Sequence, residues 1–256
     1  MTRPVYVDPS LVTLGRGTML SLEGEEARHA VTVRRTHPGE ELDIVSGRGL
    51  RVRVEVTAVS KTSLTGKVIE TFEEAPSHPQ IVLVQALAKG GRDEQAVETA
   101  TEFGVDHVIP WASDRAIVSW SNPGKAKKGS AKWQAVAMAA AKQSRRSWVP
   151  TVGAPVSTKE LAEWIRTEKS TGGRIFICHE SATDTLISKL SDGTSLAGDG
   201  SPRMTVVVGP EGGISDLETT LLADAGGEVV LLGEHVLRSA TAGPWAIAVL
   251  RARGGK

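Results

Sequence analysis

The sequence predicts an α/β domain with a mostly parallel sheet, preceded by a smaller barrel-like β domain. Three patterns carry this. Residues 1–75 hold short strand-like pieces separated by turn residues. From residue 80 onward, apolar runs of strand length alternate with stretches of helical periodicity. Near the C-terminal end two apolar runs, Val206–Val208 and Val229–Leu232, each deliver a glycine turn, Gly209-Pro210-Glu211-Gly212-Gly213 and Gly233.

In the first part, Val5–Val7, Glu41–Val45, Leu50–Val56 and Ser63–Glu70 read as strands. Leu50–Val56 alternates apolar and polar residues with period two, as a half-buried strand does. His37-Pro38-Gly39, Ser46-Gly47-Arg48-Gly49 and Thr65-Gly66 supply the turns, and Gly24–Val33 is a helical interruption. Glu73–Pro79, acidic and proline-containing, reads as a linker, which sets the domains at 1–75 and 76–256.

In the second part, Ile81–Val84 is a strand and Asp93–Phe103 a helix, with Ala96, Val97, Ala100 and Phe103 at helical spacing before a Gly104 cap. His107–Trp111 and Ile175–Cys178 are strands, and Ala131–Arg146 is a helix. Asn122–Ser130 and Ser191–Arg203, rich in Gly, Ser, Pro and Lys, read as loops. Ser215 with Glu218 three positions on is a capping-box start for a helix. The two strand-turn-helix units, taken as side by side, make a pocket of backbone N–H groups and helix N-termini.

Composition bounds the function. In 256 residues the 30 Lys and Arg balance the 30 Asp and Glu, so a polyanion must be held by a local patch rather than by the overall field. The single cysteine, Cys178, excludes an intramolecular disulfide and a cysteine-based zinc site, and within Arg174–Cys178 it reads as a small buried hydrophobe. The start has no apolar signal region, and no run reaches the ~20 apolar residues of a membrane span. A reducing, cytoplasmic setting is expected.

The first glycine turn lacks the Gly-Lys-Ser/Thr of a P-loop and the Gly-x-Gly-x-x-Gly of a dinucleotide site. Turn geometry alone can account for Gly212-Gly213; the alternative is close approach of a ligand to the backbone. Between Arg115 and Trp148 lie eight basic residues, Arg115, Lys125, Lys127, Lys128, Lys132, Lys142, Arg145 and Arg146, and no acid, which reads as a polyanion footprint. Trp120, set among Ser and Asn, is the ring placed to stack on a base. The six histidines show no zinc spacing, and there is no Gly-x-Ser-x-Gly elbow, so no metal is expected and the chemistry falls to a bound cofactor and to positioning.

At this point the chain resembles a known family, the SPOUT-class methyltransferases that modify N3 of a uridine in 16S (small-subunit) ribosomal RNA. The resemblance runs nearly end to end. It begins with Arg3, with His29, Val33 and Arg35 ahead of Pro38-Gly39-Glu40, and with Lys89 before a helix ending Thr101-Glu102-Phe103-Gly104-Val105. It continues through Ile109-Pro110 with Ser113 and Arg115, and Gln143-Ser144 with Arg146 and Pro150. It closes on Gly209–Ser215 with Glu218, and on Leu232-Gly233 with Val236-Leu237-Arg238 and Thr241-Ala242. Arg34, Lys142 and Ala240 depart from the family pattern; the first two add positive charge, and the third stands where a glutamate often follows Leu-Arg.

The resemblance implies a PUA-like β-barrel, then a SPOUT-type α/β domain closed by a trefoil knot, in a homodimer that binds S-adenosylmethionine and the small ribosomal subunit. The expected cofactor residues are Gly209, Pro210, Glu211, Gly212, Gly213, Leu232, Gly233, Val236, Leu237 and Ser239. Arg238, leaving the second turn, is expected to stabilise the uracil anion, with Arg115 as a second candidate. For the base, Glu102, Glu211 and His235 remain open, with Glu102 carried among the catalytic candidates. The expected RNA contacts are Arg3, His29, Arg34, Arg35, Lys89, Lys132, Lys142, Arg145 and Arg146. A non-catalytic RNA-binding or ribosome-assembly protein, and an enzyme for a different nucleotide, are the competing readings.

Overall fold

The structure is a computed structural model describing residues 3–191 and 203–253. The chain divides into two compact units, Met1–Pro76 with Ala141–Val149, and Ser77–Ala140 with Pro150–Lys256.

The first unit contains β1 (Val5–Val7), β2 (Met19–Glu23), α1 (Gly24–Arg28, continuing as a π-helical turn over His29–Val33), β3 (Glu41–Val45), β4 (Leu50–Val59) and β5 (Ser63–Glu73). Its five-stranded sheet has the order β1-β3-β4-β5-β2; β1 pairs with β3 in parallel and the other pairs are antiparallel. Period-two alternation in β4 buries Val52, Val54 and Val56 against Leu42, Ile44, Leu64 and Val68. The alternate residues Arg51 and Arg53 meet Asp43, Glu70 and Glu74 in ion pairs on the other face. The sheet is an open half-barrel: α1 buries Ala27 in the same core, and the Glu26 carboxylate accepts the Val7 amide at 3.3 Å. Strand β2 was not anticipated from the sequence, and β4 and β5 run on past their expected ends.

The stretch 141–149, read from the sequence as part of the second domain, packs with the first unit. Gly49 and Val149 amides donate to Ser147 and Gly47 carbonyls, and the Trp148 indole donates to the Glu74 carbonyl at 2.9 Å. Gly49, at φ 98°, is required here, since a Cβ would stand 2.6 Å from the Glu74 carbonyl oxygen and 2.8 Å from the Trp148 ring.

The second unit runs β6 (Ile81–Ala86), α2 (Arg92–Glu102), β7 (His107–Ala112), α3 (Pro123–Gln143), β8 (Thr151–Val152), β9 (Val156–Ser157), α4 (Thr158–Ser170), β10 (Arg174–Cys178), α5 (Leu186–Lys189), β11 (Met204–Val208), α6 (Asp216–Asp224), β12 (Glu228–Val230) and α7 (Ser239–Arg253). The sheet order is β12-β10-β11-β6-β7-β8, with β9 also on β7, and every pairing is parallel. Helices cover both faces, so β6 and β11 are buried along their whole length. Leu83, Val97, Trp133, Ala137 and Ile247 form the core on the face of α2, α3 and α7; Val84, Trp111, Leu161, Ile165 and Leu222 form the core under α4 and α6. Leaving β12, the chain ties to the loop after β10, with Leu231 donating to the Asp184 carbonyl and accepting from Leu186. It then returns against β11, β6 and α2 as α7.

Several expectations change. The loop expected at Asn122–Ser130 is the first half of α3, and the helix expected to reach Arg146 ends at Gln143. The Gly, Ser, Pro and Lys content of Asn122–Ser130 suggests a loop, but the Asn122 carboxamide accepts the Lys125 amide at 2.8 Å and Pro123 occupies the first helical position, where its missing N–H costs nothing. Arg145 then breaks the helix at φ 60°. Helix α4, unanticipated, starts on a Ser157–Glu160 capping box of the same type as Ser215–Glu218. Of the other expected loop, residues 192–202 lie outside the described residues. Trp120 is not presented for stacking: its ring meets Trp133 edge-on at 5.3 Å and packs on the core.

Removing the Asn122 cap by Asn122→Ala is expected to lower unfolding free energy by about 1 kcal/mol, read as a lower urea midpoint at unchanged slope. An unchanged midpoint would show that the first turn of α3 does not depend on this cap.

Candidate functional site

In a parallel sheet the carboxyl ends of the strands share one edge, and the loops leaving them form the natural ligand crevice. Here the loops after β10, β11 and β12, the start of α7, Arg92 and Arg115 enclose a pocket of about 840 Å³. The two glycine turns are not neighbours as the sequence suggested. Strand β10 stands between β11 and β12, and its exit, Cys178–Ser181, fills the gap. That third wall was missed, although a polar His-Glu-Ser after the apolar run Ile175–Cys178 was the signal for it.

The first turn is held from several sides. The Ser215–Glu218 capping box starts α6, and the same Glu218 carboxylate accepts the Asp114 amide at 2.9 Å and the Thr158 hydroxyl at 2.8 Å. This fixes the loop after β7, from which the Arg115 guanidinium donates to the Gly212 carbonyl at 3.2 Å. A Cβ on Gly209 would meet Ile214 Cγ1 at 2.7 Å, and Gly213 has φ 74°, so the turn itself demands these glycines. Gly233 in the second turn differs, with open space where its Cβ would stand. Glu211 is held by Arg92 at 3.0 Å.

At the start of α7, the Arg238 carbonyl accepts the Thr241 and Ala242 amides, so Arg238 stands at the helix entrance. The Ser239 hydroxyl accepts from the Gln85 carboxamide at 2.9 Å, tying α7 to fully buried β6. On the third wall, His179 Nδ1 and the Ser181 hydroxyl are 2.8 Å apart. Cys178 is half-buried on the pocket wall, and the desolvation of its thiol pushes it up to about 12, which disfavours the thiolate.

All ten residues expected to bind a cofactor, Gly209, Pro210, Glu211, Gly212, Gly213, Leu232, Gly233, Val236, Leu237 and Ser239, line this pocket, together with Arg115, Arg238 and His235. Glu102 does not. It is exposed at the last position of α2, whose first residue, Arg92, is the one on the pocket. Ten residues of helix rise separate the two by about 15 Å. Arg92, Glu180, Asp216 and Glu234 belong to the lining and were not singled out from the sequence.

The expected RNA contacts are scattered over both units. Arg3 pairs with Glu41 at 2.5 Å, while His29, Arg34 and Arg35 are exposed along and just after the π-helical turn. Lys89 is exposed before α2. The basic run of residues 115–148 is less one-signed in space than in sequence: Lys132 is paired with Glu94 at 2.5 Å and Lys142 with Glu26 at 2.6 Å. Lys125, Lys127, Lys128 and Arg145 are exposed, and Arg146 is half-buried. Among the described residues no helix is long and apolar enough to cross a membrane.

A wholly parallel domain with its pocket on the strand ends, joined to a half-barrel, defines a class, and the comparisons agree with it. The sequence profile of the RNA methyltransferase domain matches residues 74–251, and that of the RNA methyltransferase PUA domain matches residues 22–69. Ribosomal RNA small subunit methyltransferase E of Mycobacterium tuberculosis is 37% identical over 226 residues, covering 88% of this chain and 83% of that protein. The protein of the same name from Bacillus subtilis is 31% identical over 240 residues, 90% and 88% of the two chains. The crystal structure of a ribosomal RNA small subunit methyltransferase E from Neisseria gonorrhoeae, bound to S-adenosyl methionine, superposes with a TM-score of 0.84 at 26% identity, covering 99% of this chain and 98% of the other. The chain belongs to the ribosomal RNA small subunit methyltransferase E family.

The Cys178 thiol gives a direct check. With its pKa raised to about 12, Cys178 should alkylate at pH 8 on the order of a thousandfold more slowly than a free cysteine, and at the free rate in denaturant. The sign for stability follows from proton binding: the folded state keeps the thiol proton that the unfolded chain releases above about pH 8.5. Stability should therefore fall as pH rises from there toward 12. Equal labelling rates in folded and unfolded protein would contradict the raised thiol pKa.

Proposed function

We propose that the protein methylates N3 of a uridine in 16S ribosomal RNA, with S-adenosylmethionine as the methyl donor. The observation that carries this reading is the convergence of the two glycine turns, Arg115 and Arg238 on one pocket in a chain of this family.

The pocket suits that cofactor chemically. Its volume of about 840 Å³ lies in the range that holds a nucleoside-sized ligand. Four carboxylates, Glu180, Glu211, Asp216 and Glu234, line it beside three arginines, Arg92, Arg115 and Arg238. The acids suit a sulfonium and an ammonium group, and the arginines suit a carboxylate and the uracil oxygens. The residues that would hold the cofactor are those of the two turns, with Gly233 leaving the backbone open to it. When bound, S-adenosylmethionine supplies an electrophilic methyl group on sulfur.

The chain's own task is positioning and charge. Holding acceptor and methyl carbon at near-attack distance contributes up to ~7–11 kcal/mol in favourable systems. Uridine N3 must lose its proton, and Arg238 stabilises the negative charge that spreads onto the uracil oxygens; Arg115, anchored on the first turn, is the second such group. Of the base candidates, Glu211 and His235 line the pocket. The half-barrel, with His29, Arg34 and Arg35 exposed, grips RNA backbone. In this reading the enzyme is a cytoplasmic homodimer.

Calorimetry should detect S-adenosylmethionine binding; none at millimolar ligand would leave a non-catalytic RNA-binding protein. Nucleoside mass spectrometry after incubation with undermethylated small subunits should show 3-methyluridine, and 5-methyluridine or 2′-O-methyluridine in its place would reject the chemistry. Arg238→Ala should cut kcat by on the order of a hundredfold or more while cofactor affinity changes little by comparison. A loss confined to cofactor affinity would remove Arg238 from the reacting centre.

A further inference from the structure

Arg92 lies on the pocket, yet it belongs to neither glycine turn. Its partner in the folded chain is Glu211 of the first turn, reached through one contact, Nη1 to Oε1 at 3.0 Å. Two other arginines of this domain are fixed by more contacts. Arg174 holds Glu228 through two nitrogens and also donates to the Lys189 carbonyl. Arg251 donates to the Gly104 and Pro79 carbonyls as well as to Asp106. The Arg92 side chain is 37% exposed, so it stays open to solvent beside the pocket. A half-exposed, single-contact ion pair is a weak tie that a better acceptor can replace.

The surroundings are arranged for such an acceptor. Gly90 and Gly91 precede Arg92 at φ 68° and 74°, and a Cβ on either would meet nothing within 4 Å, so the backbone there is open to close approach. Exposed Lys89 stands at the other end of the same loop. The loop is fixed at its base, because the buried Asp93 carboxylate accepts the Ala88 and Glu94 amides. A guanidinium fork matches a phosphate with two parallel hydrogen bonds, which a single carboxylate oxygen does not supply.

We propose that Arg92 binds a backbone phosphate of the RNA next to the target nucleotide, exchanging Glu211 for that phosphate when substrate enters. Glu211 is then a resting counter-ion that occupies the phosphate site in the free enzyme. The inference rests on the RNA-methyltransferase reading and adds a substrate-binding residue to it.

The test is a titration of undermethylated small ribosomal subunits at several salt concentrations with saturating S-adenosylmethionine. It compares the wild type, R92A, R92K, E211Q and the double variant, with calorimetric cofactor affinity measured for each. R92A should weaken subunit binding about tenfold and flatten the salt dependence by about one unit of slope, and R92K should restore part of the loss. E211Q should tighten subunit binding severalfold, and only where Arg92 is present, so the double variant should match R92A. A loss of cofactor affinity in R92A equal to or larger than its loss of subunit affinity would overturn the proposal, leaving Arg92 as a brace for the glycine turn. So would an E211Q gain that persists without Arg92. A wild type that binds subunits but no S-adenosylmethionine would remove the methyltransferase reading alone, since the subunit titration still decides Arg92. A wild type without affinity for subunits would remove both.

Discussion

Glu218 is 2% exposed, and its two oxygens receive four donors from three separate stretches of chain: the Ser215 amide and hydroxyl, the Asp114 amide and the Thr158 hydroxyl. A carboxylate is tolerated at such depth only when its lone pairs are filled, and here they are. The consequence is geometric. One side chain sets the end of the first glycine turn, the start of α6, the start of α4 and the loop that carries Arg115. The pocket's shape on this side is therefore fixed by a buried, fully hydrogen-bonded side chain, while the helix packing beneath it is ordinary apolar contact.

Much of this was legible in the chain. Buried parallel strands announce themselves as apolar runs, so β6, β7, β10 and β11 were readable, and the capping box at Ser215 located α6 from two residues. What periodicity cannot convey is lateral order. Nothing in Val206–Gly213 or Val229–Gly233 says that β10 lies between them, and hence that His179–Ser181 completes the site. Local signals also compete: Asn122-Pro123-Gly124 has the composition of a turn and the geometry of a helix start. Glu102 was carried over because it sits inside a recognisable motif, and a motif locates a helix without saying which end faces the pocket.

Charge shows the same limit. A stretch without acids looks one-signed along the chain, but folding brings Glu94 to Lys132 and Glu26 to Lys142. Each half-exposed pair contributes little to stability, yet each changes what a polyanion would meet. The cations that remain exposed lie on α3, on the loop before α2 and on the π-helical turn of the first unit.

The chain crosses between its two compact units three times, after Pro76, after Ala140 and after Val149. Residues 141–149 thus give back to the half-barrel a surface that its own first 76 residues lack: the Trp148 ring against Gly49, and the Ser147 hydroxyl on Glu74. A cut at the linker would produce a fragment with an uncovered edge and a second fragment bearing a displaced insert. In modular terms the half-barrel is a split module, and moving it to another protein would require two coordinated splice points, since residues 77–140 of the second unit join its two pieces.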